Sequence, residues 1–346
     1  MIYFNNDYSE GCHEKILNAL ADTNMVQTAG YGTDEYCRAA ADKIRKACKN
    51  DKLAVHFLVG GTQANLTVID AALRPHQAVL GAVSAHINGH ETGAVEATGH
   101  KVLSVPSDDG KITAAQVEAV ISAHRTDESM EHNVQPKMVY LSDSTELGTI
   151  YSKKELEEIS EVCHRYGMYL FLDGARLGYA LTAQGNDLTL ADIAKLCDVF
   201  YIGGTKVGAL FGEAVVINHP EIASDFRYLI KQHGGMLAKG RLLGIQFGVL
   251  FEDDLYFTIA KKANVLADQL RACITELGYP MLVPGVTNQV FPIFPNSLLT
   301  RLRQIFCYTD MGAVDEAHRA VRFCTSWATK PENVDALCAE LRRLSE

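Results

Sequence analysis

Two residues in this chain combine type and setting in a way that points to chemistry. Asp173 ends the apolar run Met168-Tyr169-Leu170-Phe171-Leu172 and opens Gly174-Ala175-Arg176. Lys206 follows a second apolar run, Val199-Phe200-Tyr201-Ile202, across the small residues Gly203-Gly204-Thr205. A carboxylate at one buried strand end and a lysine at the next are what pyridoxal phosphate chemistry requires. The carboxylate keeps the pyridine nitrogen protonated, so that the ring accepts electrons, and the lysine forms a Schiff base with the aldehyde.

Other segments read as parts of the same site. Gly60-Gly61-Thr62-Gln63 lies between an apolar run ending at Val59 and a helix expected to begin near Ala64. Glycines there let backbone approach a ligand, and helix-start N–H groups favour a phosphate, although such a turn often uses glycine for packing alone. His86 follows a strand and is either a ring that stacks on a flat cofactor or a polar loop residue. His90 and Glu91 are expected to start the next helix, where the dipole favours an acid. Glu146, in Asp143-Ser144-Thr145-Glu146, is either a solvated loop acid or an active-site acid/base; nothing local separates the two. Arg176 is a candidate bidentate clamp for a carboxylate, or an ordinary partner for a nearby acid. Arg322, inside the strand-like Ala320-Val321-Arg322-Phe323-Cys324, needs an anionic partner: an acid of the protein or a substrate carboxylate.

The elements that must position these residues follow from the pattern of apolar runs. Strands are expected at 53–59, 78–83, 101–105, 137–142, 168–172, 198–202 and 214–217, continuously apolar as in sheets covered on both faces. Helical patterns intervene, as at 113–124 and 153–166. This predicts an α/β, doubly wound domain with a mostly parallel seven-stranded sheet. Two amphipathic helices precede it, at 13–22 and 34–48. After a helix-rich stretch from about 220 to 278, short strands at 281–283 and 289–294, a helix near 297–306, a strand near 319–325 and a terminal helix from Pro331 predict a small α+β domain. The division expected is residues 1–250 and 251–346.

Composition bounds the function further. The chain has 346 residues, 47% of them apolar, and a net charge of −10. That field repels phosphate backbones and anionic lipid, so neither nucleic acid nor membrane is an expected partner. Nine cysteines without paired spacing argue against a disulfide framework and suit a reducing, cytoplasmic setting; Cys48, Cys163, Cys197 and Cys324 read as core residues. No signal peptide or membrane-length apolar run is visible. The histidines His13, His164, His219, His233 and His318 are dispersed, so no catalytic transition metal is expected. No G-x-S-x-G or G-x-G-x-x-G marks a serine hydrolase or a nicotinamide-dependent dehydrogenase.

Seven segments, in order along almost the whole chain, resemble the threonine aldolase family, within the β-eliminating lyase group of fold-type-I enzymes. They are Asn6-Asp7, Gly30-Tyr31-Gly32-Thr33-Asp34, Gly61-Thr62-Gln63-Ala64-Asn65, Ala85-His86, Asp173-Gly174-Ala175-Arg176, Thr205-Lys206 and Val321-Arg322. The resemblance implies that Lys206 carries the cofactor and Asp173 pairs with its pyridinium. It implies that Gly60, Gly61, Thr62 and Thr205 hold the phosphate, that His86 stacks on the ring, and that Arg176 and Arg322 bind the substrate carboxylate, with Asn6 and His90 nearby. It also implies retro-aldol cleavage of a β-hydroxy-α-amino acid to glycine and an aldehyde, and a homotetramer built as a dimer of dimers with sites at the dimer interface. The sequence departs from the family at four places. Thr205 replaces a usual serine, Asn6 stands where a serine often is, Glu146 stands where many members carry histidine, and Leu237 stands where many carry arginine. Candidates for the general base are His86, His90, Glu146 or a water. The same pyridoxal framework also serves β-elimination, racemisation and transamination, and a fold can persist in a silent ligand-binding protein.

Overall fold

The continuous apolar runs become strands that are covered on both sides. In the computed structural model, which describes residues 1–345, the first part of the chain carries β1 (Ile2–Tyr3), β2 (Ala54–Leu58), β3 (Gln77–Ala82), β4 (Lys101–Val105), β5 (Gln135–Ser142), β6 (Tyr169–Asp173), β7 (Val199–Gly203) and β8 (Glu213–Ile217). Every residue of β3, β6, β7 and β8 is buried, so both faces of the central sheet are shielded from water. The seven strands from β2 to β8 form one sheet in the order β2-β8-β7-β6-β5-β3-β4. Only β8 runs against its neighbours, pairing antiparallel with β2 and β7.

Capping chemistry written into the sequence starts the crossover helices. Thr113 with Gln116, Ser152 with Glu155 and Thr189 with Asp192 each form reciprocal capping boxes, at helices Ala114–Thr126, Lys153–Arg165 and Leu190–Leu196. The Asp34 side chain accepts from the Cys37 N–H at the start of helix Glu35–Ala47.

The later part of the chain adds β9 (Gln289–Val290), β10 (Ile293–Pro295), β11 (Phe306–Cys307), β12 (Thr309–Ala313) and β13 (His318–Cys324), and ends in helix Pro331–Ser345. Here β13 pairs antiparallel with β9, β10 and β12, while β11 pairs parallel with β1. The strand expected at 281–283 is reduced to a single bridge between Met281 and Pro292. β12 escapes the apolar-run criterion because its Thr-Asp-Met-Gly-Ala sequence is an edge strand with exposed positions.

Two apolar cores meet inside one helix rather than at a linker. Helix Leu255–Glu276 gives Leu255, Tyr256, Ile259, Ala260 and Ala263 to the core around the large sheet. It gives Leu266, Ala267, Leu270, Cys273 and Ile274 to the core around β13. Phe4, near the amino terminus, packs in that second core.

Candidate active site

Parallel strands deliver their following loops to one edge of the sheet, and β2 runs in the same sense as β7 because both oppose β8. That edge therefore gathers Gly60 and Gly61 after β2, His86 after β3, Glu146 after β5, Asp173 at the end of β6 and Lys206 after β7. Two glycines permit the closest approach. The Gly203 N–H donates to the Gly174 carbonyl at 2.9 Å. A Cβ on Gly174 would run into the Tyr201 carbonyl, and one on Gly203 into the Ala175 carbonyl.

Asp173 is buried and heavily solvated by the protein. Its Oδ2 accepts from Asn65 Nδ2 at 3.1 Å and from the Tyr140 hydroxyl, and its Oδ1 accepts from the Ala175 N–H at 2.9 Å. Burial pushes both Tyr140 and Tyr201 well up, and the nearby Asp173 charge adds to this, so both phenols stay neutral donors. The Lys206 amine is buried within reach of the charge of this carboxylate. Burial lowers its pKa, and the Arg176 cation adds to the effect, against the pull of Asp7, Asp173 and Glu213. A lysine depressed in this way is a better nucleophile at neutral pH.

The helix after β2 starts earlier than expected, at Gly61, with Gly60 as its N-cap. No side chain caps it, and a Cβ on Gly60 would meet nothing within 4 Å. The first N–H groups of a helix of 12 residues are thus left without a side-chain cap, beside the open approach at Gly60 and the exposed Thr62. This is an anion cradle.

His86 opens the short helix His86–Gly89, and its Nδ1 lies 2.8 Å from Glu91 Oε1. The expectation that His90 and Glu91 begin a helix is corrected. His90 ends that short helix, and Glu91 sits in the following turn with its side chain fully buried. Glu91 Oε1 also accepts from Asn65 Nδ2 at 2.8 Å, so one amide ties Glu91 to Asp173. Glu146 is held below His86. Its Oε1 accepts from the His86 N–H at 2.9 Å and from Ser142 Oγ at 2.7 Å, and burial raises its pKa.

The two arginines differ. The Arg176 fork is occupied: Nε and Nη2 donate to Asp7 at 2.7 and 3.0 Å, and Asn288 donates to the same carboxylate at 2.9 Å. Burial alone would raise the Asp7 pKa, but the Arg176 and Lys206 cations hold it below the usual range. Arg176 is thus a partner for an acid of the protein, and what it retains for a ligand is Nη1 with the second N–H of Nη2. Arg322 has no acid partner among the described residues. Its contacts are neutral and long: the Asn5 carbonyl at 3.1 Å, Thr309 Oγ1 at 3.3 Å and Gln289 Oε1 at 3.4 Å. Its buried Nε has no partner among the described residues.

Thr205 and Asn6 both have partners within the chain. The Thr205 hydroxyl donates to Glu213 Oε1 at 2.9 Å and accepts from the Gly212 N–H at 3.0 Å, so it offers its proton to the cradle only when Glu213 is itself protonated. Asn6 Oδ1 accepts from the Tyr8 N–H and Ser9 Oγ, closing its own turn. Asp7, Asn65, Glu91, Tyr140 and Glu213 carry weight that their sequence settings hide. For Glu213 there is a signal: an acid directly ahead of Ala214-Val215-Val216-Ile217 is an acid in a buried strand.

The residues present fit pyridoxal phosphate. Uncapped helix N–H groups suit its phosphate, Asp173 its pyridinium, the His86 ring its face and Lys206 its aldehyde, and the orphaned Arg322 Nε suits an amino acid carboxylate. Known proteins of similar sequence and fold point to the same cofactor. The chain is 31% identical over 98% of its length to a low specificity L-threonine aldolase from a Pseudomonas species, covering 96% of that protein. A solved Leishmania major threonine aldolase superposes with a TM-score of 0.98 at 46% identity, each chain covered completely. Thermus thermophilus aspartate aminotransferase, at 16% identity, matches with a TM-score of 0.72 over 99% of this chain and 91% of its own, and so shares the fold of fold type I. The pattern described as beta-eliminating lyase matches residues 7–296, and the chain belongs to that family of pyridoxal phosphate-dependent enzymes.

Proposed function

We propose that this protein is a pyridoxal phosphate-dependent carbon–carbon lyase that cleaves β-hydroxy-α-amino acids of the threonine type to glycine and an aldehyde. The observation that carries the reading is the full-length likeness, at 46% identity, to a threonine aldolase whose fold this chain reproduces. When bound, the cofactor supplies an electron sink for the bond broken at Cα.

The chain's own residues supply the rest. Asp173, held by Asn65, Tyr140 and the Ala175 N–H, presents a fixed negative charge to the cofactor nitrogen. Arg322 offers an unpaired guanidinium to the substrate carboxylate, and Arg176 Nη1 adds a second cation anchored by Asp7. By holding the carboxylate, the two arginines would set the orientation of Cα toward the cofactor, and with it which bond is broken. The His86 ring, tethered through Nδ1 to Glu91, is oriented to cover the cofactor face. Glu146 is the general base for the β-hydroxyl: its Oε1 is held by two donors, leaving Oε2 free, and burial raises its basicity toward neutral pH. His90, exposed and with its pKa lowered by burial and by the neighbouring His86 and Arg322, is a neutral group lining the substrate side.

We further read residues 1–250 as the cofactor-binding domain and 251–346 as a small domain that brings Arg322 to the site. A cytoplasmic homo-oligomer, a dimer of dimers with sites at the interface, is the assembly proposed. Support for a second copy comes from apolar residues left exposed on the amino-terminal segment, Leu17 at 59% and Met25 at 88%, with Leu210 beside Gly11. The test is a spectrum of the purified chain with added pyridoxal phosphate, followed by product analysis on threonine, allo-threonine, phenylserine and serine. A borohydride-reducible yellow chromophore and glycine plus aldehyde are expected. A chromophore with pyruvate or 2-oxobutyrate as products would instead mark a β-elimination enzyme, and no chromophore would end the enzymatic reading.

A further inference from the structure

Glu213 is a buried acid with no place in the mechanism above. It is 3% exposed at the start of β8, in register with Leu58 of β2 on one side and Gly203 of β7 on the other. Gly60-Gly61 and Gly204-Thr205 leave the sheet on either side of it, so Glu213 sits at the floor between the two strand ends that lead into the anion cradle. Its Oε1 accepts from Thr205 Oγ1 at 2.9 Å and its Oε2 from the Gly204 N–H at 3.2 Å. Thr205 Oγ1 in turn accepts from the Gly212 N–H at 3.0 Å.

A hydroxyl has one proton and two lone pairs. While Glu213 is ionised, the one proton of Thr205 must point at it, and an anion in the cradle receives nothing from this hydroxyl. With a proton on Glu213 the direction reverses. The carboxyl O–H then donates to Thr205 Oγ1, which accepts from Glu213 and Gly212 together, and the threonine proton is free to turn outward. We propose that Glu213 is a proton-linked switch of the phosphate cradle: binding of a phosphate monoester draws one proton from solvent onto Glu213 and turns the Thr205 hydroxyl from Glu213 to the ligand. The inference rests on the cradle reading above.

The protonation is accessible near physiological pH. Burial pushes Glu213 up to about 8, against the hydrogen bond from Thr205 and the Lys206 cation, with the Asp173 charge adding to the rise. The other titratable groups turned toward it are Tyr201 from β7 and Tyr256 from helix Leu255–Glu276, both pushed up by burial and therefore neutral. A phosphate dianion brought into the cradle raises Glu213 further. By linkage, affinity is then flat below about pH 8 and falls toward tenfold per pH unit above it.

Pyridoxine 5′-phosphate, which lacks the aldehyde, is titrated calorimetrically into the full-length apoprotein in two buffers of different ionisation enthalpy. At about pH 9 the wild type should take up nearly one proton more per ligand than Glu213→Gln. The glutamine amide donates to Thr205 as the protonated acid does, so the variant should bind roughly tenfold tighter than wild type at that pH and equally at about pH 7. Equal uptake and equal affinity in the two proteins would overturn the switch while leaving the cradle intact. Failure of either protein to bind the phosphate would remove the cradle and the switch together. Should Glu213→Gln not fold, as judged by circular dichroism, Thr205→Val takes its place: it has no hydroxyl to turn, so its uptake should fall well below the wild type's, to what charge repulsion alone produces, and uptake equal to the wild type's overturns the proposal.

Discussion

Replacing Arg322 separates a substrate-binding arginine from a structural one. Its present partners are three neutral acceptors at 3.1–3.4 Å, at the long end of hydrogen-bond distances. Arg322→Gln should therefore cost little in folding, roughly 1 kcal/mol or less, a shift of only a few degrees in Tm for a chain of this size. A carboxylate gripped by the same guanidinium gains one or two charge-assisted hydrogen bonds, about 2–4 kcal/mol in total. The corresponding loss in kcat/KM is about thirtyfold to a thousandfold, carried mostly by KM because ground state and transition state share the contact. Steady-state aldehyde release from allo-threonine, beside a thermal melt, reads both quantities. A variant with unchanged KM but a Tm lowered by ten degrees would refute the assignment and make Arg322 a structural strut.

Three further substitutions test the rest of the site. Lys206→Ala should abolish the reducible chromophore and turnover, and a variant that keeps both would remove the lysine from the chemistry. Asp7→Asn leaves the Arg176 cation buried without a counter-charge, at a cost of about 3–5 kcal/mol in denaturant unfolding. Because the folded-state pKa of Asp7 is depressed, its ionic contribution is fully present above the ordinary carboxylate pKa of 3.8 and is lost as pH falls through the lower folded value. Wild type and Asp7→Asn should thus converge in stability in acid, and a constant gap across that range would contradict the ion pair. Glu146 must be ionised to act, and its pKa is raised above 4.5, so the acid limb of kcat should sit above that value. Glu146→Gln should lose the limb and slow retro-aldol cleavage far more than α-proton exchange of glycine; equal slowing would exclude it as the base.

What the sequence determined by itself was whatever depends on local pattern. The uninterrupted apolar runs at 168–172 and 199–202 placed strands buried on both faces, and polar or small residues directly after them placed Asp173 and Lys206 at strand ends. Capping residues such as Thr113 and Ser152 fixed where helices begin. Partnership was not legible, because it depends on residues far apart in the chain. Asp7 and Arg176 are 169 positions apart, and only folding shows that the arginine is taken by the acid while Arg322 is left without one. Asn65 joins Glu91 to Asp173 only once helix Gly61–Ala72 lies across the sheet. Glu213 stands one residue outside the strand expected at 214–217. Pairing of β8 between β2 and β7 buries it, and burial beside Thr205 gives its proton something to control.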